Sequence, residues 1–178
     1  MNILAANIIL IGMPGSGKST VGVILAKRLS LGFVDTDLLI QTAQGRSLQG
    51  IVDTDGYLAL RDIEERMLLN LACSNQVIAT GGSAAYSHPA MTHLKRNGIV
   101  VFLHADLETL NKRVNDFSKR GLAKCPDQTL EDLFRERHSL YTAYADITID
   151  SCLLTHEEVC ARIIEQTGRV TAVKRTDL

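Results

Sequence analysis

The sequence predicts an α/β fold built on a largely parallel sheet. Five short apolar runs, at 7–11, 32–35, 76–80, 99–103 and 147–149, are separated by segments with apolar residues three or four apart. Several runs are unbroken rather than alternating, as in strands covered on both faces. The alternation of strand with helix calls for right-handed crossovers between parallel strands. The length of 178 residues fits one domain at ~150 residues per domain. Such a chain buries roughly 70% of the surface it exposes when unfolded.

The first strand, 7–11, follows an apolar opening that superficially resembles an export signal. It has no basic leader, and its apolar run leads straight into a glycine-rich turn, so it is read as a strand. Val21, Ile24, Leu25 and Leu29 then form a helical stripe. After the second strand, 36–73 is a long excursion, in which Leu58, Ile63, Met67 and Leu71 suggest another helix face. The third strand runs directly into Gly81-Gly82-Ser83, and the fourth ends beside His104, read as a structural histidine. A second excursion, 115–129, is polar and broken by Gly121 and Pro126. Such segments often serve as substrate-binding elements or lids. Thr155 and Glu158 have the spacing of a capping box opening a last helix through Val159, Ile163 and Ile164. Residues 169–178 lack periodicity and are expected to be a flexible tail beyond a single domain, 1–168.

Composition narrows the function. Nineteen basic and twenty acidic side chains leave a net charge of −1, which argues against a general nucleic-acid binder. The longest apolar runs, 8–11 and 99–103, fall far short of the ~20 residues that span a bilayer. Cys73, Cys125, Cys152 and Cys160 contain no CxxC pair, so no metal or disulfide framework is implied, and the thiols are expected to be incidental in a reducing cytosol. The expectation is a cytoplasmic monomer acting on small molecules, without nucleic acid or membrane.

Gly12-Met13-Pro14-Gly15-Ser16-Gly17-Lys18-Ser19 matches G-x-x-x-x-G-K-[ST] in full, between a strand and a helix. Gly15, Ser16 and Gly17 let the backbone wrap a phosphate chain with N–H groups pointing inward. The helix beginning near Lys18, Ser19 and Thr20 adds its dipole and free amides. Lys18 supplies a positive charge for the β- and γ-phosphates, and Ser19 an oxygen for Mg²⁺. This predicts a nucleoside triphosphate without naming the acceptor. A regulatory GTPase is unsupported: Asn111-Lys112-Arg113-Val114 ends in valine where aspartate is needed, and Asp53-Thr54-Asp55-Gly56 lies between helical segments.

Asp35-Thr36-Asp37 sits at the end of the second strand, where open parallel sheets bind ligands. Asp35 could hold Mg²⁺ through water, and Asp37 could orient or deprotonate an acceptor hydroxyl. Both could equally be turn or helix-capping residues. Arg61 and Glu64, three apart, have the spacing of a surface ion pair. Gly81 and Gly82 permit close backbone approach to a ligand.

Together these features resemble the shikimate kinases, small P-loop kinases that phosphorylate a hydroxyl of shikimate from ATP. The resemblance spans about 7–165. It rests on GMPGSGKST from Gly12, on Asp35-Thr36-Asp37, on LRDIE from Leu60 where the family has an aromatic, and on Gly81-Gly82-Ser83 where it has three glycines. It extends to Arg113, to Arg120-Gly121-Leu122 where the family has proline after arginine, and to RHSLY from Arg137. The resemblance implies a three-layer fold with five parallel strands in the order 2-3-1-4-5, an acceptor-binding segment at 36–73 and a lid at 115–129. It implies ATP and Mg²⁺, with Arg113 near adenine and Arg61, Arg137 and the Gly82 backbone gripping an acceptor carboxylate. Arg120 would swing in with the lid and neutralise transferring charge. Catalysis would then rest on Lys18, Asp37 and Arg120. The departures at Leu60, Ser83 and Gly121 leave room for another small hydroxy or sugar acid, and Gly121 is expected to loosen the lid. A nucleoside monophosphate kinase and a non-catalytic nucleotide-binding module are weaker alternatives, since Lys18, Ser19, Asp35 and Asp37 are all present.

Overall fold

The computed structural model describes residues 6–114 and 121–176, with side chains described as far as residue 168. Strands β1 (Asn7–Ile11), β2 (Gly32–Asp35), β3 (Gln76–Ala79), β4 (Gly98–His104) and β5 (Ile147–Asp150) form one parallel sheet in the order β2-β3-β1-β4-β5. This is the order the resemblance implies.

The unbroken first strand has its reason in the layers. Ile8, Ile9, Leu10 and Ile11 are all fully buried, because successive side chains point to opposite faces and both faces are covered. Ile9 and Ile11 pack with Leu68, Met91, Leu94 and Tyr141; Ile8 and Leu10 pack with Val21, Leu25, Val159 and Ile163. Full burial of each such side chain is worth about 1.5–3 kcal/mol. The helices on the first face are α4 (Tyr57–Leu69), α5 (His88–Arg96) and α7 (Leu130–Tyr144); those on the second are α1 (Lys18–Leu29) and α8 (His156–Thr176), and the short α6 (Leu107–Arg113) follows β4.

The first excursion folds as α2 (Thr36–Gln44), α3 (Leu48–Asp55) and α4 around a satellite core of Ile40, Ile51 and Leu60. Ala123, from the second excursion, closes that core. The burial of α4 differs from the expected stripe. Leu58 is exposed, and the buried line is Leu60, Glu64 and Leu68. A glutamate in the middle of the inward face hides that face from a search for apolar periodicity. Ile63 and Met67 pack against the satellite core instead.

The capping box at the start of α8 forms: Thr155 Oγ1 and N donate to the Glu158 carboxylate, both at 2.8 Å, and Glu158 N donates back to Thr155 Oγ1. At its other end α8 runs on to Thr176, where the sequence suggests a flexible tail from 169. A helix once nucleated adds one hydrogen bond per residue without needing an apolar stripe. Among the described residues no helix is long and apolar enough to cross a membrane.

β1 and β4 are neighbours, and the chain runs on from β1 to β2 at one edge of the sheet and from β4 to β5 at the other. The crevice beyond the carboxyl ends of β1 and β4 is the place where such sheets bind ligands.

Candidate active site

The loop leaving β1 turns into α1 at Gly17, which caps the helix at φ +96°, with no side chain satisfying the first N–H groups. Those amides are free for an anion. Ser16 Oγ is buried in the same loop without a partner. Lys18 Nζ donates to the carbonyls of Gly12 at 2.8 Å and Met13 at 3.0 Å. Burial pushes the Lys18 pKa down to about 8, against the opposing pull of Asp37. Ser19 and Thr20 are exposed on the first turn of α1, and Ser19 Oγ donates to Asp35 Oδ2 at 2.6 Å.

Asp35 does two things. Its Oδ1 caps α2, accepting from Asp37 N at 3.0 Å and Leu38 N at 3.3 Å, while its Oδ2 faces Ser19. The capping reading therefore holds, and it leaves the second carboxylate oxygen facing the phosphate loop. Thr36 is buried, and its Oγ1 accepts from Gly81 N at 3.0 Å, joining the ends of β2 and β3. Burial raises the Asp37 carboxyl above its ordinary range, and Lys18 pulls the other way.

Glu64 turns inward rather than pairing with Arg61. Ser83 Oγ donates to Glu64 Oε2, and Oε1 is buried without a partner. Burial, reinforced by Asp37, raises the Glu64 pKa to about 7. Glycine opposite leaves room for these side chains: a Cβ on Gly81 would push aside the Glu64 and Asp37 carboxylates, and one on Gly82 would stand 2.7 Å from Arg137 Nη1. Tyr141 Oη fixes the turn by donating to the Gly82 carbonyl at 2.6 Å.

The two arginines, 76 positions apart in the chain, meet on one oxygen. Arg61 Nη2 and Arg137 Nη2 donate to the Ala123 carbonyl at 2.9 and 3.0 Å. The Arg61 guanidinium lies 3.6 Å from the centre of the Tyr86 ring, a cation–π contact. Arg137 is fully buried, and its Nε has no partner. Sequence reasoning missed Tyr86 and the inward turn of Glu64. Tyr86 has no motif, and LRDIE includes Glu64 without showing which way it turns, because both roles come from packing, under Arg61 and behind Ser83.

A cleft of about 380 Å³ runs from the loop at Gly15, Lys18 and Ser19, past Asp37, to Gly82 and Arg137. Arg113 and His156 line its other end. Arg113 Nη2 donates to the Ser151 carbonyl at 2.7 Å. His156, also missed from sequence, opens α8 beside Gly17. Arg120 and the rest of 115–120 lie outside the described residues. Gly121 does not behave as a looser substitute for proline. Its φ is +59°, its N–H donates to Gln49 Oε1 at 2.8 Å, and a Cβ there would stand 2.6 Å from backbone carbon of Leu48. Glycine is the residue that fits this approach.

Fold and cleft together define a class: a P-loop kinase whose pocket continues from the phosphate cradle to the buried Arg137. The family model for shikimate kinase matches residues 14–167, and the chain belongs to the shikimate kinase family. It is 37% identical over 168 residues to the shikimate kinase of Thermodesulfovibrio yellowstonii, covering 93% of this chain and 96% of that one. It is 41% identical over 145 residues to that of Paracidovorax citrulli, covering 79% of each. A solved structure of Acinetobacter baumannii shikimate kinase in complex with shikimate superposes with a TM-score of 0.83 at 32% identity, covering 90% of this chain and 92% of that one.

Proposed function

We propose that this protein transfers the γ-phosphoryl group of ATP to a hydroxyl of shikimate. One observation supports this acceptor class above others. Two guanidinium groups converge on the carbonyl of Ala123, a residue lining the end of a cleft that begins at a phosphate cradle, and Arg137, which itself lines that cleft, keeps a buried donor, Nε, without a partner. Planar guanidinium suits bidentate grip on a carboxylate. The Acinetobacter relative, whose structure holds shikimate, supports the particular acid.

In this reading the Gly15–Ser16–Gly17 amides, Ser19, Thr20 and Lys18 hold the ATP phosphates, with Arg113 toward the base. Lys18 stabilises charge on the transferring group. Asp37, made more basic by burial, orients the acceptor hydroxyl and takes its proton. Arg61, Arg137 and the Gly82 backbone hold the carboxylate. Arg120 is the proposed lid arginine, supported by its place next to Gly121, which lines the cleft. Ser19 Oγ and Asp35 Oδ2 are adjacent hard oxygen donors and fit Mg²⁺. When bound there, the ion would supply charge neutralisation across the phosphate oxygens. The chemistry is mainly positioning and electrostatics. ATP dependence is consistent with a cytoplasmic setting.

A coupled assay of ADP release with and without shikimate tests the activity. Turnover is expected only with shikimate and Mg²⁺ present. Arg61→Lys and Arg137→Lys should each lower kcat/KM for shikimate by at least about tenfold, with ATP binding little changed. An analogue bearing a neutral amide in place of the carboxylate should be a poor substrate. Equal use of acid and amide would overturn the clamp. Turnover with a different hydroxy acid alone would leave the kinase reading and remove shikimate.

A further inference from the structure

We propose that His104, Asp150 and Cys152 form a metal site of Zn²⁺ type at the carboxyl ends of β4 and β5, beside the phosphate cleft but outside its lining. Their donor atoms, one nitrogen, one carboxylate oxygen and one sulfur, all lie within 4.8 Å of one another. None of the three lines the cleft.

The sheet itself sets the spacing. His104 and Asp150 are register partners across the parallel β4–β5 ladder, so their side chains leave the same face side by side. His104 Nδ1 and Asp150 Oδ1 stand 3.7 Å apart, beyond direct hydrogen-bond reach. Tetrahedral Zn²⁺ with bonds of these kinds spaces its donor atoms ~3.3–3.6 Å apart. The pair is thus close to ligand spacing without being closed on itself.

Cys152 is brought in by the backbone. Asp150 Oδ1 accepts from Cys152 N at 3.0 Å, turning the chain back after the strand. Ser151 N and Oγ both donate to the His104 carbonyl, at 2.9 and 2.8 Å, tying this turn to β4. Asp106 N donates to Cys152 Sγ at 3.3 Å and helps aim it. The His104 ring is held edge-on against Phe102 and His138. Asp150 is exposed and Cys152 partly so, which leaves an entry path and a fourth position for water.

The donor set selects the metal. Imidazole with thiolate suits Zn²⁺, whereas Mg²⁺ prefers oxygen alone. Binding would displace the thiol proton and fix the turn whose Ser151 carbonyl anchors Arg113.

The test uses the full chain without nucleotide, Zn²⁺ alone as titrant in calorimetry, and Co²⁺ as spectroscopic reporter. One equivalent of Zn²⁺ is expected at micromolar concentration, and excess Mg²⁺ should not displace it. Co²⁺ should show thiolate charge-transfer absorption. Cys152→Ser should remove that absorption and weaken Zn²⁺ binding at least tenfold, and His104→Ala should weaken it comparably. Cys125→Ser, at an exposed thiol elsewhere, should change neither. Hydrogen exchange at 151–155 should slow when Zn²⁺ is added to the native chain. Lack of stoichiometric binding in the native chain would overturn the proposal, as would unchanged binding and absorption in Cys152→Ser.

Discussion

Lys18 and Glu64 show what burial does to single charges. Lys18 is desolvated among backbone carbonyls, so its charge is poorly solvated until phosphate arrives. A fixed charge that gains most as charge develops on the transferring group raises kcat. Lys18→Ala should therefore lower kcat by at least about 10²-fold, with the melting temperature nearly unchanged; near-normal turnover would remove the cradle assignment. Glu64 carries a pH signature. Its pKa is 4.5 as an ordinary carboxyl and about 7 in the fold, where burial disfavours the charged form. Between those values the folded chain keeps a proton that the unfolded chain has released. Stability should thus fall as pH rises from about 4.5 to about 7, by an amount on the order of 3 kcal/mol from this group. The upward shift of Asp37 acts in the same direction. Glu64→Gln, which can still accept from Ser83, should flatten the slope in urea unfolding across that pH range. An unchanged slope would show that Glu64 is ionised in the fold.

At the scale of elements, the segment after residue 120 is docked by specific contacts. Gly121 holds a left-handed conformation against the start of α3, Ala123 closes the satellite core, and the Ala123 carbonyl bridges two arginines. Restoring the proline usual in the family should not stiffen this segment. Proline fixes φ near −65° and has no N–H, whereas Gly121 needs φ +59° and donates to Gln49. Gly121→Pro should destabilise by more than about 1 kcal/mol and speed hydrogen exchange at 122 and 123. A more stable variant would mean that the docked conformation is not the one adopted in solution.

At the scale of the whole molecule, one cleft joins elements from both halves of the sheet: the loop after β1, the end of β2, the turn after β3, and α7. Ligands that bind only the folded chain stabilise it by mass action. At about a hundred times Kd the gain is about 2.7 kcal/mol, which raises the melting temperature by ~5–10 °C for a chain of this size. ADP and shikimate should each do this. Together they should exceed the sum of their separate shifts, because one cleft orders around both. A thermal melt series with each ligand and the pair checks this; a simple sum would mean independent sites, and less than the sum would mean that the ligands oppose each other.

The amino-acid sequence by itself determined the sheet. An unbroken apolar strand such as β1 can be stable only between two covered faces, and that requirement is local to its residues. It also carried the phosphate cradle and Asp35-Thr36-Asp37, because contiguous backbone geometry makes them motifs. The Ala123 carbonyl shared by Arg61 and Arg137, the inward turn of Glu64, the ring of Tyr86 beneath Arg61 and the approach of Gly121 to Leu48 were decided only by tertiary structure. Each joins residues far apart in the chain. Such contacts leave no periodic or contiguous trace, because what fixes them is the packing of one helix on another and the exclusion of water from the space between.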